Sequence, residues 1–261
     1  MGVVNTTPDS FSDGGKFQRV EAAARQALEL EAGGAQVIDF GGESTRPGAE
    51  VIPANEEGRR VLPAVERFAA LRAPGTLISI DTTKPEVAAA AIAAGADIVN
   101  DVSGFVSPAM REVAATSDCG LVIMHMRGDP RTMQDSPRYG DVVAEVRAFF
   151  ERQIALCEGA GIDPRRVVLD PGIGFGKTLD HNLALLRELP RLRVSGRPLM
   201  VGVSRKSFIG RLLGSDELEA RDWPTVALTS YCRERGAEIV RVHDARPNVE
   251  AMRMTEAILF T

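Results

Sequence analysis

The sequence predicts an α/β protein, a (β/α)₈ TIM barrel in one domain. Three observations carry that reading. Short β-branched apolar runs alternate with longer helical patterns along the whole chain. The runs are continuous rather than alternating, as in strands buried on both faces of a parallel sheet. And one helix-stop device recurs: Gly34-Ala35-Gln36-Val37-Ile38-Asp39, Gly95-Ala96-Asp97-Ile98-Val99-Asn100 and Gly236-Ala237-Glu238-Ile239-Val240-Arg241. Each is a helix end, a Gly-Ala stop, a buried strand and then a polar residue. Eight such units in 261 residues match the size of a barrel. With no linker or composition shift, residues 1–261 read as a single domain whose first strand is already under way at the first residues. An open doubly wound sheet is the alternative, and it more often has fewer strands or a second domain.

The predicted strands, in order, are Gly2–Val4, Gln36–Phe40, Leu77–Ile80, Asp97–Val99, Leu121–Met124, Val167–Leu169, Leu199–Val203 and Glu238–Val242. Between them, Val20–Ala32 is rich in Ala and Leu and stops at Gly33-Gly34. Pro85–Ala94 has Pro in its first turn and ends at Gly95. Val142–Cys157, Leu183–Leu189 and Thr225–Arg235 complete the clearer helices, the last ending at Gly236.

The positions at and just past the strand ends are more informative. They are Asn5, Asp39 with Glu43, Asp81, Asn100 with Asp101, His125, Asp170, Ser204 to Ser207, and Arg241 with His243. A barrel gathers such positions at its C-terminal mouth, where barrel active sites lie. One polar strand end is ordinarily a cap or turn residue. Eight in succession describe a binding site.

Two groups of residues stand out there. Asp81, Asn100 and Asp170 suit a flat heterocycle read along its N–H-bearing edge. Arg46, Arg205, Lys206, Arg241 and His243 suit a phosphate or carboxylate. Packing is the simpler role for His125, and a helix surface for His181. Two long Gly-containing loops, Thr6 to Gly15 and Gly41 to Ala49, have the character of lids. Gly172-Ile173-Gly174-Phe175-Gly176-Lys177-Thr178 looks like a nucleotide-phosphate loop but has Pro171 where a Walker A needs its first glycine. A Schiff-base role for Lys206 is a rival reading, as in barrel aldolases.

Composition narrows the field. The formal charge is −5, without the basic excess of a nucleic-acid or membrane-surface binder. No apolar run approaches a membrane span, and no secretory signal is visible. Cys119, Cys157 and Cys232 form no Cys-x-x-Cys pair, which fits buried core thiols in a reducing cytoplasmic compartment.

The motifs together resemble one family, the dihydropteroate synthases of the pterin-binding barrel superfamily. The resemblance is carried by residues 2–15 (GVVNTTPDSFSDGG) and 41–49 (GGESTRPGA), then by Ile80-Asp81-Thr82 and Val99-Asn100-Asp101-Val102. It continues through residues 170–177 (DPGIGFGK), Ser204-Arg205-Lys206-Ser207-Phe208 and Arg241-Val242-His243-Asp244, in the family's order. It implies a transferase of folate synthesis that joins p-aminobenzoate to 6-hydroxymethyl-7,8-dihydropterin pyrophosphate, releasing pyrophosphate. By that resemblance Asp81, Asn100 and Asp170 hold the pterin edge, with Lys206 on its carbonyl side. Arg241 and His243 hold the pyrophosphate, as does Asn5 through a Mg²⁺ ion. Thr45, Arg46 and Pro47 come from a covering loop, Ser207 takes the benzoate carboxylate, and Phe175 packs on the aminobenzoate ring. Asp81, Lys206, Arg241 and His243 are the implied catalytic set. The resemblance also implies a homodimer and sulfonamides as inhibitors. Thr6 and Pro224 depart from the family pattern, where an aliphatic residue and a Gly are commoner. The nearest rival in the superfamily is a methyltetrahydrofolate:corrinoid methyltransferase, which has no pyrophosphate to hold. A non-catalytic pterin-binding barrel is the rival from another class.

Overall fold

The computed structural model describes residues 1–7, 16–45 and 48–260. Eight parallel strands lie within these residues: β1 (Gly2–Asn5), β2 (Val37–Gly41), β3 (Leu77–Asp81), β4 (Ile98–Asp101), β5 (Gly120–Met124), β6 (Val167–Asp170), β7 (Met200–Val201) and β8 (Ile239–Val240). Helices alternate with them: α1 (Lys16–Ala32), α2 (Ala54–Ala69), α3 (Pro85–Ala93), α4 (Pro108–Ala115), α5 (Val142–Gly159) and α6 (Leu179–Arg187). The chain continues through α7 (Ser207–Leu213), α8 (Asp222–Glu234) and α9 (Ala245–Leu259). Strands β1 to β6 form one sheet in sequential order, and β7 pairs with β8. A Leu169–Leu199 bridge joins β6 to the β7 segment, and a Gly2–Val242 bridge joins β1 to the β8 segment. At the second seam the Val3 N–H donates to the Val242 carbonyl (3.1 Å) and the Val242 N–H to that of Met1 (2.9 Å). The order is that of the predicted barrel, wound once around.

The recurring Gly-Ala stop has a single physical form. Gly34, Gly95 and Gly236 have φ of 95°, 106° and 93°, a region an L side chain strains to enter. The next N–H then reaches back five residues in each copy. Ala35 donates to Leu30 (3.0 Å), Ala96 to Ala91 (2.9 Å) and Ala237 to Cys232 (2.9 Å). This helix-terminating turn satisfies the last carbonyls and aims the chain into the following strand.

Several boundaries differ from the sequence reading. The sixth helix starts at Leu179 rather than Leu183 because Thr178 and His181 form a capping box. His181 is therefore half-buried at a helix start, with its ring 4.8 Å from that of Tyr139, rather than on an open surface. The last two strands keep only two residues each, Met200–Val201 and Ile239–Val240, because the ladder loosens at the seams. The sequence reading left out α2, α4 and α9, and expected α7 only as the helix that Ser207 starts. A Pro inside α2 (Pro63) and the polar content of α9 weaken the local signal there.

The inner strands alternate. Ile38, Phe40, Ile78, Ile80, Val99, Leu121 and Ile123 belong to the apolar core shared with the helices. The intervening Asp39 and Ser79 are also fully buried, on the opposite face of their strands. Continuous apolar runs were expected, so these inward polar groups are a departure. They lie beneath the mouth.

Candidate active site

The strand register sets out the mouth. Asn5, Gly41, Asp81 and Asn100 stand abreast on β1 to β4. Met124 stands abreast of Asp170 on β5 and β6. Arg241, one residue past β8, reaches across this floor. Its Nε donates to Asp39 Oδ2 (2.6 Å) and its Nη2 to Asp81 Oδ2 (2.9 Å). Asn100 Nδ2 donates to the same Asp39 oxygen (3.2 Å). Burial works against the Arg241 charge, yet Asp39 and Asp81 outweigh it, so the guanidinium holds its proton more firmly than usual. Burial raises Asp81 to about 7 despite the opposing pull of Arg241, with Asp39 adding to the rise.

Opposite lies a second charged pair. Asp170 is buried, which raises its proton affinity, while the Gly172 N–H (2.7 Å) and the Lys206 charge oppose the rise. Lys206 precedes the first residue of α7 and sets its ammonium 4.1 Å from the centroid of the Phe175 ring. Burial lowers it to about 8, Arg241 contributes, and Asp170 and Asp81 pull the other way.

One small cavity, open to solvent, joins these groups. It is lined by Thr45, Asp81, Asn100, Asp170, Phe175, Lys206 and Arg241, with Val102, Met124 and Ile173 as apolar wall. Buried Asn100 Oδ1 and Asp39 Oδ1 lack hydrogen-bond partners among the described residues. Buried polar atoms are rarely left so, and an acceptor facing a cavity suits a ligand N–H. His243 sits nearby, its N–H and Nδ1 both facing Ser204 Oγ (3.3 and 3.0 Å). Ser207 is exposed at the start of α7, and Asn5 ends β1. Arg46 and Pro47 lie outside the described residues, as do Asp9, Asp13 and the rest of 8–15 in the first loop.

Not every strand-end residue faces the cavity. Asp101 folds back on its own turn, accepting from Ser103 N (2.7 Å), Ser103 Oγ (2.7 Å) and Phe105 N (2.8 Å). Arg205 is in the left-handed region (φ 57°) and is engaged by Asp222 at 2.6 and 3.0 Å. His125 is buried edge-on against Phe149, and burial lowers its basicity to about 3. These three positions complete turns and packing.

One buried charge cluster and one buried lysine escaped the sequence reading. Glu43 accepts from Ile52 N (2.7 Å), closing the base of the second loop, and its other oxygen accepts from Lys84 (2.9 Å). Lys84 also donates to the fully buried Glu57 (2.5 Å). The available signal was Glu57 itself, on the same helical stripe as Val61, Ala64, Val65 and Phe68. The lysine is Lys177, 2% exposed beneath the loop that carries Phe175. Burial brings its ammonium down to about 7 against the attraction of Asp170.

Comparison with known proteins identifies the family. The family model described as "Pterin binding enzyme" matches residues 1–243. A dihydropteroate synthase of Synechocystis sp. is 47% identical over 260 residues, spanning 99% of this chain and 89% of that one. The Xanthomonas albilineans dihydropteroate synthase solved with 4-aminobenzoic acid superimposes with a TM-score of 0.93 at 46% identity, covering 100% of this chain and 93% of that one. The same organism's enzyme in complex with 7,8-dihydropteroate gives 0.89 at 42% identity, covering 100% and 93%. Family match, identity over nearly the full length and shared fold lead to one conclusion: this chain belongs to the pterin binding enzymes, as a transferase of their dihydropteroate synthase branch.

Proposed function

We propose that the barrel mouth joins p-aminobenzoate to 6-hydroxymethyl-7,8-dihydropterin pyrophosphate, with the cavity residues in the following roles. Asp81, Asn100 and Asp170 take the pterin edge, and Lys206 donates to its carbonyl side. The observation that carries this reading is the cavity itself, where two buried carboxylates and an unpartnered amide oxygen meet one ammonium. That set matches a heterocycle with several N–H donors and one acceptor.

The bond to break is the C–O bond between the pterin methylene and pyrophosphate. The electron-rich ring spreads the positive charge left behind, so departure can run ahead of attack. Asp81, ionised beside Arg241, stabilises that cation. Arg241 and His243 hold the leaving pyrophosphate at the side of the mouth nearest β8. The neutral aniline nitrogen then attacks the methylene, its ring packed by Phe175 and its carboxylate held at Ser207. Thr45, at the cavity wall, helps to exclude water.

Asn5 fits a role toward a divalent cation. A Cβ placed on Gly41 would lie 3.7 Å from Asn5 Oδ1 and 4.0 Å from Asp81 Oδ2, so hard oxygens flank a bare glycine at the floor. One neutral oxygen suits Mg²⁺, which keeps water and phosphate oxygens as its other ligands. Asn5 would hold the ion, which when bound offsets the charge of the pyrophosphate.

The outer helices support a homodimer. Leu212 and Leu213 on α7, Trp223 on α8, and Met254 and Ile258 on α9 are all more than half exposed. A cytoplasmic setting is supported by Cys119, Cys157 and Cys232, which are buried as free thiols. No described helix is long and apolar enough to cross a membrane.

The deciding experiment measures pyrophosphate release with the dihydropterin ester and Mg²⁺, with and without p-aminobenzoate. Release coupled to dihydropteroate formation is the expected outcome. Release without the amine would show that the C–O bond breaks first. A folded protein that releases nothing would overturn the reading in favour of a binding-only barrel.

A further inference from the structure

Residues 171–178 form the loop after β6, and they carry Phe175 to the cavity on a support that none of the steps above uses. Lys177 Nζ donates to the Phe175 carbonyl (2.9 Å) and the His125 carbonyl (3.1 Å), and lies 3.1 Å from His125 Nδ1. Among the described residues no carboxylate lies in salt-bridge contact with it: its three polar contacts are to neutral atoms, and Asp170 acts only at a distance. That is a costly arrangement for mere filling. Burial lowers the basicity of His125, and in the neutral Nε2–H tautomer its Nδ1 accepts from Lys177.

The loop is also held from the rim. Gln134 Nε2 donates to the Gly174 carbonyl (2.7 Å) and Tyr139 Oη to that of Gly176 (2.9 Å). These bonds bracket Phe175 on both sides. A side chain at Gly176 would collide with the Arg127 carbonyl, and one at Gly174 would sit 3.2 Å from Lys206 Cδ. The loop therefore has little freedom, and its one aromatic ring is set against the Lys206 ammonium.

We propose that Lys177 is a positioning residue: it fixes Phe175 from beneath and so sets how tightly the site takes the arylamine substrate, leaving the pterin side unaffected. This inference rests on the reading that Phe175 packs on the p-aminobenzoate ring. It assigns the nucleotide-loop lookalike 172–178 a purpose without phosphate. The lysine that a Walker A would aim at a nucleotide here points down into the protein.

The test is steady-state kinetics of the full chain with Mg²⁺, varying each substrate in turn. Lys177→Met keeps the stem and removes the three polar contacts. It should raise KM for p-aminobenzoate about tenfold, while kcat and KM for the pterin ester stay within about twofold. Gln134→Leu, at the half-exposed rim, should raise the same KM by about threefold, and it decides the matter if Lys177→Met does not fold. An equal rise in both KM values, or a loss confined to kcat, would mean a general structural role and overturn the proposal. Phe175→Leu separates the two levels of argument. If it raises KM for p-aminobenzoate while the other two variants do not, the role of Lys177 fails and that of Phe175 stands. If it leaves that KM unchanged, the reading beneath the proposal is itself overturned.

Discussion

Asp81 and Lys206 face each other across one small cavity with their proton affinities drawn toward neutrality from opposite directions. Burial raises the carboxyl to about 7 and lowers the ammonium to about 8. The proposed chemistry needs Asp81 ionised and Lys206 protonated. Activity should rise as pH passes about 7 and fall beyond about 8, a narrow bell in kcat/KM. Lys206→Arg, which stays charged, should carry the alkaline limb upward while leaving the acid limb in place. A flat profile between pH 6 and 9 (roughly a unit either side of the two values) would remove both groups from the rate equation. Asp81→Asn should cost at least about 100-fold in kcat, because the amide cannot stabilise a cation. Its fold should survive, since Arg241 keeps Asp39 at 2.6 Å. Near-normal turnover in that variant would eliminate the proposed role.

Elements position these residues, and here the sequence was legible to an uneven degree. Strand order, the Gly-Ala stops and the polar strand ends could all be read, because each has a local signature. The partners of those polar ends could not. Nothing near Asp101 announces that it turns back on Ser103 and Phe105, whereas Asn100 beside it opens to the cavity. The reason is alternation: neighbouring residues of a strand face opposite sides, and only the register tells which side is inward. The Glu43–Lys84–Glu57 cluster was hidden because it joins three elements far apart in sequence. Its removal should be felt in two ways. Lys84→Met leaves Glu57 buried and unpaired, at a cost of about 3 kcal/mol in chemical denaturation. It also frees the base of the loop bearing Thr45, so KM for the pterin ester should rise as well. Full stability in Lys84→Met would show that Glu57 takes up a proton or another partner.

For the whole molecule, the apolar side chains on α7, α8 and α9 make the oligomeric state a direct test of the outer surface. Ile258 is 76% exposed near the end of α9. Ile258→Asp should convert a dimer into monomers in sedimentation, with the melting profile of a single chain little changed. A parent protein that sediments as a monomer at micromolar concentration would place that surface outside any self-association. The fold itself was readable at this scale, since eight repeated units in one chain leave few architectures open.

The seam between the first and last strands has a consequence for how the enzyme comes into being. Arg241 meets Asp39 and Asp81 across 202 and 160 residues of sequence, and Val242 pairs with residues at the very start of the chain. A growing polypeptide therefore cannot join the β8 segment to β1, or place this cation against Asp81, until residues 241 and 242 have left the ribosome. A product cut short before β8 lacks the arginine and the strand that brings it. The strand that joins β1 is also the one that carries the cation to Asp81, so ring and charge arrive together.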